Sequence, residues 1–292
     1  MRLLPRPVPA VLALVVALVV PARAHAWGYD AHMFIAGRAI ALLPAELRPF
    51  FEAHRTSFVE RSIDPDTWRT AGFDASESPR HFFHVDREVY GPYPHAGLLR
   101  DFDAAVARWG RAAVEENGTL PWRTEEMHRR LQDAFASYAR RGMFGRFDVV
   151  FFAAWLAHYV SDAHVPFHAV VNYDGQLTGQ RGIHARFEAI LFERYRTRLE
   201  VDPVPRAPER RPRDAVFDAL LEGGPLAGAV LVADAKAREA DPDYGDAYYD
   251  AFFAGSRAAL EPRLEQSIAA VAAMIAGAWE AAGRPPVPVR QP

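Results

Sequence analysis

The stretch His158-Tyr-Val-Ser-Asp162-Ala-His-Val-Pro-Phe-His168 decides how the rest of the chain is interpreted. The residues before it recur with the helical period, so a helix is predicted to run into it. Residues four apart on a helix share a face, which brings the side chains of His158 and Asp162 together. Pro166 cannot continue the helix, and His168 is therefore expected on the loop beyond it. The stretch thus offers two imidazoles and a carboxylate close in space.

A second pair with the same spacing follows, His184-Ala-Arg-Phe-Glu188, on another predicted helix. Neutral imidazole and carboxylate groups are suitable zinc ligands. A single pair of this kind is more often an ordinary hydrogen bond in the core or on the surface. Two pairs, together with a histidine that follows a proline, favour a metal site over that alternative.

More candidate ligands lie upstream. His32 comes five residues after Trp27, and His81 opens the run His-Phe-Phe-His-Val-Asp. Asp66 lies fifteen residues before His81, within Asp64-Pro-Asp66. Asp64 is the rival carboxylate at this position, and we expect Asp66 to be the ligand.

In this order, the residues resemble the superfamily that joins bacterial zinc-dependent phospholipases C with the fungal and plant single-strand-specific nucleases. The similarity lies in a mature N-terminal Trp, a His-x3-Asp-x5-His core and a closing His-x3-Asp/Glu, and it spans about Trp27 to Glu188. The resemblance implies an all-α, multi-helix single domain with a trinuclear zinc cleft. The helical periodicity that dominates the chain agrees with that fold.

The resemblance also implies which residues hold three zinc ions. The first site would use Asp66, His81, His158 and Asp162; the second would use His168, His184 and Glu188; the third would use His32, Asp162 and the amino nitrogen and carbonyl oxygen of Trp27. Asp162 would then bridge two ions. A free α-amine can donate its lone pair to zinc, whereas a peptide nitrogen cannot do so easily, so the third site requires cleavage directly before Trp27.

Residues 1–26 are predicted to be a signal peptide. Arg2 and Arg6 give a positive start, an apolar run extends from Ala10 to Val20, and Ala24-His25-Ala26 forms a small-x-small cleavage site. The apolar run is too short to span a bilayer as a helix. A secreted or periplasmic protein that begins at Trp27 is therefore expected, with an uncleaved anchor or a cut after Ala24 as alternatives.

One phosphoesterase domain is predicted from 27 to 283, with the metal ligands within 27–188 and a helical C-terminal part from about 213. A Pro/Arg-rich loop at 201–213 precedes that part, and the proline-rich residues 284–292 are predicted to be a disordered tail. Helices are predicted at about 30–43, 98–116, 124–140, 146–161, 182–199, 213–221, 226–238 and 248–282.

Composition excludes several classes of protein. The 292 residues include no cysteine, which excludes disulfides, thiolate zinc sites and cysteine nucleophiles. The formal net charge is −3, so the molecule as a whole is not a basic nucleic-acid-binding surface. A cluster of three divalent ions would nevertheless stay positive after three carboxylates are counted, and it would attract a phosphate.

The resemblance implies the chemistry of an exported phosphodiester hydrolase. A metal-activated hydroxide would attack phosphorus, and Asp66 would orient the nucleophile or accept its proton. A non-catalytic zinc-binding protein is the alternative from another class. Because the His168 site offers only three protein ligands, it leaves room for water, and this favours catalysis.

The substrate is either a phospholipid or a single-stranded nucleic acid. Asp30 matches an acidic position that contacts the choline headgroup in the phospholipase branch, and Glu188 matches that branch too. The spacing from Trp27 to His32 matches the nuclease branch, as does Phe82, which can stack on a base or cage a quaternary ammonium. We favour a phospholipase-C-like enzyme with transient membrane-surface contact and no stable protein partner. A single-strand-specific nuclease (endonuclease/3'-nucleotidase) is the alternative.

Overall fold

The computed structural model describes residues 28–74, 76–140 and 145–289, and within these ranges it contains helices and loops but no β-strand. The prediction of an all-α fold is confirmed. The α-helices are α1 (Tyr29–Ala39), α2 (Arg48–Ala53), α3 (Arg55–Arg61), α4 (Asp64–Ala71), α5 (Phe102–Trp109), α6 (Arg111–Asn117), α7 (Leu120–Ala139), α8 (Gly145–Asp162), α9 (Ile183–Ala185), α10 (Leu191–Tyr195), α11 (Pro212–Ala240) and α12 (Asp246–Ala281). Short 3-10 segments cover Ile40–Leu42, Ser78–His81, Glu88–Tyr90, Pro166–Ala169 and Arg196–Arg198, and a π-helical segment covers Arg186–Ile190.

Helix α8 lies at the centre of the molecule and contacts α1, α3, α7 and α12. Its sequence carries no charged residue between Asp148 and Asp162, and a helix that is apolar nearly all round is a buried one. Both His158 and Asp162 are fully buried. Helix α8, which carries the candidate ligands His158 and Asp162, is therefore the core helix of the domain.

The turn after α8 is fixed by a buried arginine from α12. The last carbonyls of a helix lack partners within the helix. Arg263 satisfies this end because its Nε donates to the carbonyl of His164 at 2.8 Å and its Nη2 donates to the carbonyl of Ala163 at 3.2 Å. Val165 is extended, as the residue before Pro166 must be. The chain can then turn and bring His168 back toward α8.

Residues 83–85 and residues 168–169 lie side by side next to this turn, and these two segments are called the wall below. The amide of Phe83 donates to the carbonyl of His168 at 3.0 Å, and the amide of Val85 donates to the carbonyl of Ala169 at 2.8 Å. Helix α11 packs on the wall at Gly224, where a Cβ would make ordinary van der Waals contacts, 3.4 Å from Val85 and 3.6 Å from Ala169. The wall thus brings together two candidate ligands, His81 and His168, which lie 87 residues apart in the sequence.

The helix boundaries differ from the sequence prediction in three places. Helices α2, α3 and α4 were not predicted, because they are short and their apolar residues are too few to show a period. The predicted helix 98–116 is divided at Gly110, which adopts φ +84°. The two helices predicted at 213–221 and 226–238 are one helix, α11, which continues through Pro225.

The C-terminal helices share the hydrophobic core with the rest of the domain. One continuous cluster of buried residues extends from Ala31 in α1 to Trp279 in α12. Helix α11 is also long and apolar enough to cross a membrane by length and composition alone, but 44% of its most apolar window is buried inside the protein. Its contacts to α7 and α12 place one face of α11 against the rest of the domain.

The segment after α12 differs from the disordered tail expected at 284–292. Trp279 donates its indole N–H to the carbonyl of Pro285 at 2.8 Å, and Tyr138 donates its hydroxyl to the carbonyl of Pro288 at 2.5 Å. The side chain of Val287 is buried. Proline removes backbone donors but not carbonyl acceptors, so a proline-rich segment can still be held by side chains of the core. Residues 290–292 lie outside the described part of the chain.

Two glycines with similar backbone conformations, Gly110 and Gly118, differ in how closely they approach other residues. Gly110 and Gly118 adopt similar conformations, with φ and ψ of 84° and 147° and of 101° and 157°. This region is essentially restricted to glycine, and a side chain there costs about 1–3 kcal/mol. A Cβ at Gly110 would meet nothing within 4 Å, whereas a Cβ at Gly118 would lie 2.0 Å from the carbonyl oxygen of Phe82.

We expect Gly118→Ala to lower the free energy of unfolding by clearly more than Gly110→Ala, because only Gly118 adds a clash to the backbone strain. Urea unfolding followed by circular dichroism measures both. Equal losses of stability would contradict the close approach of Gly118 to the segment that carries His81 and Phe82.

Candidate metal centre

The carboxylate of Asp162 lies between three imidazoles. Its Oδ2 is 3.1 Å from Nδ1 of His81 and 3.3 Å from Nε2 of His158, and its Oδ1 is 3.4 Å from Nε2 of His32. All four side chains are buried. The two oxygens of one carboxylate thus face two different groups of nitrogen atoms, as a bridging ligand would require.

Asp66 joins the first of these groups. It lies in the first turn of α4, is fully buried, and places Oδ1 3.6 Å from Nδ1 of His81. The ligand atoms of Asp66, His81 and His158 all lie within 4.8 Å of one another. The rival carboxylate, Asp64, instead accepts a hydrogen bond from Arg61 at 3.0 Å and is partly exposed. The structure therefore favours Asp66 over Asp64 as the candidate ligand.

A second group lies on the other side of the cluster. Nε2 of His184 is 3.0 Å from Oε2 of Glu188, and Nε2 of His168 is 3.8 Å from the same oxygen. Glu188 belongs to the π-helical turn Arg186–Ile190, a feature that is often found at functional sites. Burial raises the pKa of Glu188 to about 7, and a nearby cation would lower this pKa again.

Backbone carbonyls fix which ring nitrogen two of the histidines present. Nδ1 of His158 donates to the carbonyl of Ser62 at 2.8 Å, and Nδ1 of His168 donates to the carbonyl of His81 at 2.6 Å. Because a carbonyl oxygen only accepts, both Nδ1 atoms carry the proton. Nε2 of each ring faces the cluster, and hydrogen bonds of this kind to backbone carbonyls commonly orient metal-bound histidines.

Several buried polar atoms of the cluster have no hydrogen-bond partner among the residues that the structure describes. They include His32 Nδ1, Asp66 Oδ2, His81 Nε2, Asp162 Oδ1, His184 Nδ1 and Glu188 Oε1. Buried polar groups are otherwise nearly always paired, and buried charges need a counter-charge. Three buried carboxylates surrounded by imidazole nitrogens form a donor set that suits divalent zinc. The residues present therefore fit a metal cluster.

The charges around Asp162 also favour a bound metal cation. Burial alone would raise the pKa of Asp162, but the neighbouring His158 and His168, when charged, outweigh that effect and hold the pKa well below its usual range. Burial lowers the pKa of His168 itself well below its usual range. His168 is therefore a poor source of positive charge for Asp162, and a metal cation would supply that charge instead.

A cavity of about 500 Å³ opens onto the cluster. Three of its lining residues are aromatic rings in a row: Phe82 stacks on His84 with centroids 4.8 Å apart, and His84 stacks on Tyr173 at 5.8 Å. Burial lowers the pKa of His84 to about 4, so its ring is neutral at neutral pH. Phe82 lies at the wall of this cavity, together with His81.

Arg69 also lines the cavity, and sequence reasoning missed it. Its Nη2 donates to Oδ1 of Asp66 at 2.7 Å, and its side chain is partly exposed to the cavity. The spacing of three residues on α4 could have indicated the pair. Arginine–aspartate pairs at this spacing are common, however, and the sequence gives no reason to single this one out.

Two other predicted residues are not brought to the cluster. Asp30 lies in the first turn of α1, is half exposed, and has its carboxylate 3.8 Å from Arg196. It is not among the residues that line the cavity, so the structure does not place it as a headgroup contact. Trp27 and the predicted signal peptide at 1–26 lie outside the described residues.

A comparison with protein families matches residues 31–220 to zinc-dependent phospholipase C. The match covers more than half of the chain. The chain belongs to the zinc-dependent phospholipase C family. A search of the curated proteins finds no match to it.

Membership of the zinc-dependent phospholipase C family confirms the suspected superfamily and makes the protein a zinc-dependent hydrolase of phosphoester bonds. The matched range contains every candidate ligand except Trp27 and ends within α11. Three buried groups of His, Asp and Glu within it lie close enough to hold metal ions: His32, His158 and Asp162; Asp66, His81 and His158; His168, His184 and Glu188.

Replacing the shared carboxylate provides a test of this arrangement. We expect Asp162→Ala to lower zinc content by about two equivalents per chain, because Asp162 faces two of the three groups. Asp64→Ala, two positions from Asp66 but paired with Arg61, is the matched control and should leave zinc content unchanged. Elemental analysis after dialysis measures both, and an Asp162→Ala protein with its full zinc complement would refute the bridging position.

Proposed function

We propose that this protein is an exported phosphodiesterase of the phospholipase C type that uses three zinc ions. The ligands would be Asp66, His81, His158 and Asp162 for one ion, His168, His184 and Glu188 for the second, and His32, Asp162 and Trp27 for the third. The observation that carries the proposal is the convergence of three buried groups of His, Asp and Glu beside an open cavity, with several of their polar atoms unpartnered among the described residues. A storage or structural site would be expected to be closed by protein ligands instead.

When bound, zinc lowers the pKa of water toward about 7 and offsets the charge of a phosphate. The residues of the chain perform the remaining tasks. Asp66 is held between Arg69, which donates to Oδ1, and His81, so its carboxylate has a fixed orientation. Its second oxygen, Oδ2, has no partner among the described residues and can accept a proton from the attacking nucleophile.

Arg69 is the positively charged side chain nearest to that carboxylate in the cavity wall. One of its nitrogens is used by Asp66, and a guanidinium has five N–H donors in a planar fork. The remaining donors suit the oxygens of a phosphodiester that enters the cavity. We therefore assign Arg69 to binding the substrate phosphate, although the sequence did not suggest it.

The substrate that we favour is a phospholipid, which the family description supports. The row of Phe82, His84 and Tyr173 offers flat, neutral rings next to the metal ligands, and such rings attract a quaternary ammonium. We place the headgroup here rather than at Asp30, whose carboxylate already faces Arg196. Transient contact with a lipid surface follows from such a substrate.

A single-strand-specific nuclease is the second candidate, and the same aromatic row favours it. Bases stack on aromatic side chains without regard to sequence, and each stacked base contributes about 1–3 kcal/mol. Phe82 is only partly buried, so one face of its ring is accessible from the cavity. Either substrate class would be bound through its phosphate by Arg69.

Export is part of the proposal because the third site depends on it. His32 has an unpartnered Nδ1 and lies 3.4 Å from Asp162 through Nε2, but two side chains alone make an incomplete zinc site. Cleavage of a signal peptide before Trp27 would supply a free α-amine as a further ligand. A secreted protein whose first residue is not Trp27 would contradict this part of the proposal.

Substrate choice is tested with mature, zinc-loaded protein. We expect turnover of phosphatidylcholine and of nitrophenyl phosphorylcholine, with no cleavage of single-stranded DNA or RNA. Phe82→Ala should lower kcat/KM for phosphatidylcholine about tenfold, which corresponds to about 1.4 kcal/mol and is the size of a cation–π contact. Phe147→Ala, at an exposed phenylalanine outside the cavity, is the control.

The other outcomes separate the alternatives. Cleavage of nucleic acid without cleavage of lipid would establish the nuclease. Stoichiometric zinc with no turnover of any of these substrates would establish a non-catalytic zinc-binding protein and overturn the proposed function.

A further inference from the structure

A buried carboxylate lies behind His81, on the side that faces away from the cluster. Nδ1 of His81 points to Asp66 and Asp162, whereas Nε2 lies 3.7 Å from Oε1 of Glu77. This Nε2 is buried and has no hydrogen-bond partner among the described residues. Glu77 is itself almost completely buried, and it is neither a proposed zinc ligand nor a residue with a role in the proposed reaction.

Glu77 is held in place from several directions. The hydroxyl of Tyr159 donates to Oε1, and Nη1 of Arg80 donates to Oε2 at 2.6 Å. The guanidinium of Arg123 lies 3.8 Å from Oε2 and is also a donor to the hydroxyl of Tyr159. Burial raises the pKa of Tyr159 well above its usual range, so the phenol keeps its proton and remains a donor. Two arginines and a tyrosine thus hold the carboxylate of Glu77 in one orientation.

His81 turns the opposite ring nitrogen to the cluster from His158 and His168. His158 and His168 donate through Nδ1 to backbone carbonyls and present Nε2 to the cluster. His81 instead turns Nδ1 to the cluster, 3.1 Å from Asp162, so binding a metal through Nδ1 would leave its proton on Nε2, on the side of Glu77. A neutral carbonyl orients a ring, but a carboxylate also makes the imidazole a stronger electron donor toward a metal.

We propose that Glu77 is a positioning residue for the metal centre: its carboxylate attracts the Nε2 proton of His81 and thereby directs Nδ1 of that ring to the ion shared with Asp66, His158 and Asp162. This inference rests on the proposed zinc cluster and extends it to a residue outside the ligand set. The loss of such an outer carboxylate typically weakens metal affinity about 10- to 100-fold.

A purely structural role must give a different result, and a neighbouring carboxylate separates the two. Glu126 accepts from Arg123 at 2.7 Å and from Arg130, so it belongs to the same group of arginines, but it makes no contact with His81. Glu77→Gln and Glu126→Gln both remove one negative charge from this group. Only Glu77→Gln removes the charge beside Nε2.

The experiment measures zinc affinity by chelator competition for wild type, Glu77→Gln and Glu126→Gln, with thermal unfolding in parallel. We expect Glu77→Gln to weaken binding of one zinc equivalent about 10- to 100-fold, while Glu126→Gln matches wild type. The visible absorption spectrum of the cobalt-substituted protein should change for Glu77→Gln alone, because the ligand field at the His81 ion changes.

Unchanged affinity and an unchanged cobalt spectrum in a folded Glu77→Gln protein would overturn the proposal, even if its stability fell. If Glu77→Gln does not fold, Glu77→Asp decides the question. This variant keeps the charge for Arg80 and Arg123 but withdraws the carboxylate from His81, so weaker binding supports the proposal and wild-type binding overturns it. A wild-type chain that takes up no zinc would overturn the metal centre itself and this inference with it.

Discussion

Three carboxylates buried in a helical core are the constraint on which the rest of the structure depends. Asp66, Asp162 and Glu188 are fully excluded from solvent, and all three face imidazoles rather than lysine or arginine alone. Ionised carboxylates in a core require counter-charges, and neutral imidazoles provide lone pairs instead of charge. Divalent cations satisfy both kinds of group at once. The helices around the cluster can therefore be understood as the frame that brings these ligands to one point.

The frame achieves this with few elements. The central helix, α8, carries His158 and Asp162 into the core, and Arg263 of α12 fixes the turn that returns His168 to the same place. The extended wall then brings His81 against that turn through backbone hydrogen bonds. Since α11 and α12 pack on the wall and on α8, the C-terminal helices support a site whose candidate ligands all precede them. Metal binding in such a site is coupled to folding, because the ligands converge only in the folded chain.

Much of the centre could be predicted from the sequence, for physical reasons that differ between residues. The pairs His158–Asp162 and His184–Glu188 follow from helical periodicity, although the second helix is π-helical at Glu188. The convergence of His32 and Asp66 with them could not follow from periodicity, since it depends on tertiary packing. Only the ordered resemblance to a family indicated it.

The features that the sequence did not reveal also have physical explanations. Arg69 lies three residues after Asp66, and Glu77 lies four residues before His81, but pairs at these spacings are too common in sequences to single out these two. Asp30 has the right chemistry at a matching position, but the chain direction at the start of α1 leaves it half exposed beside Arg196. Pro225 suggested a helix end, yet α11 continues through it.

The central claim is that zinc occupies a shared cluster around Asp162, and diffraction from zinc-loaded crystals at the zinc absorption edge tests it most directly. We expect anomalous peaks within about 2.0–2.3 Å of ligand atoms in each of the three groups, with two of them in contact with different oxygens of Asp162. Peaks found only at exposed carboxylates, or a single peak that leaves His168, His184 and Glu188 unliganded, would contradict it.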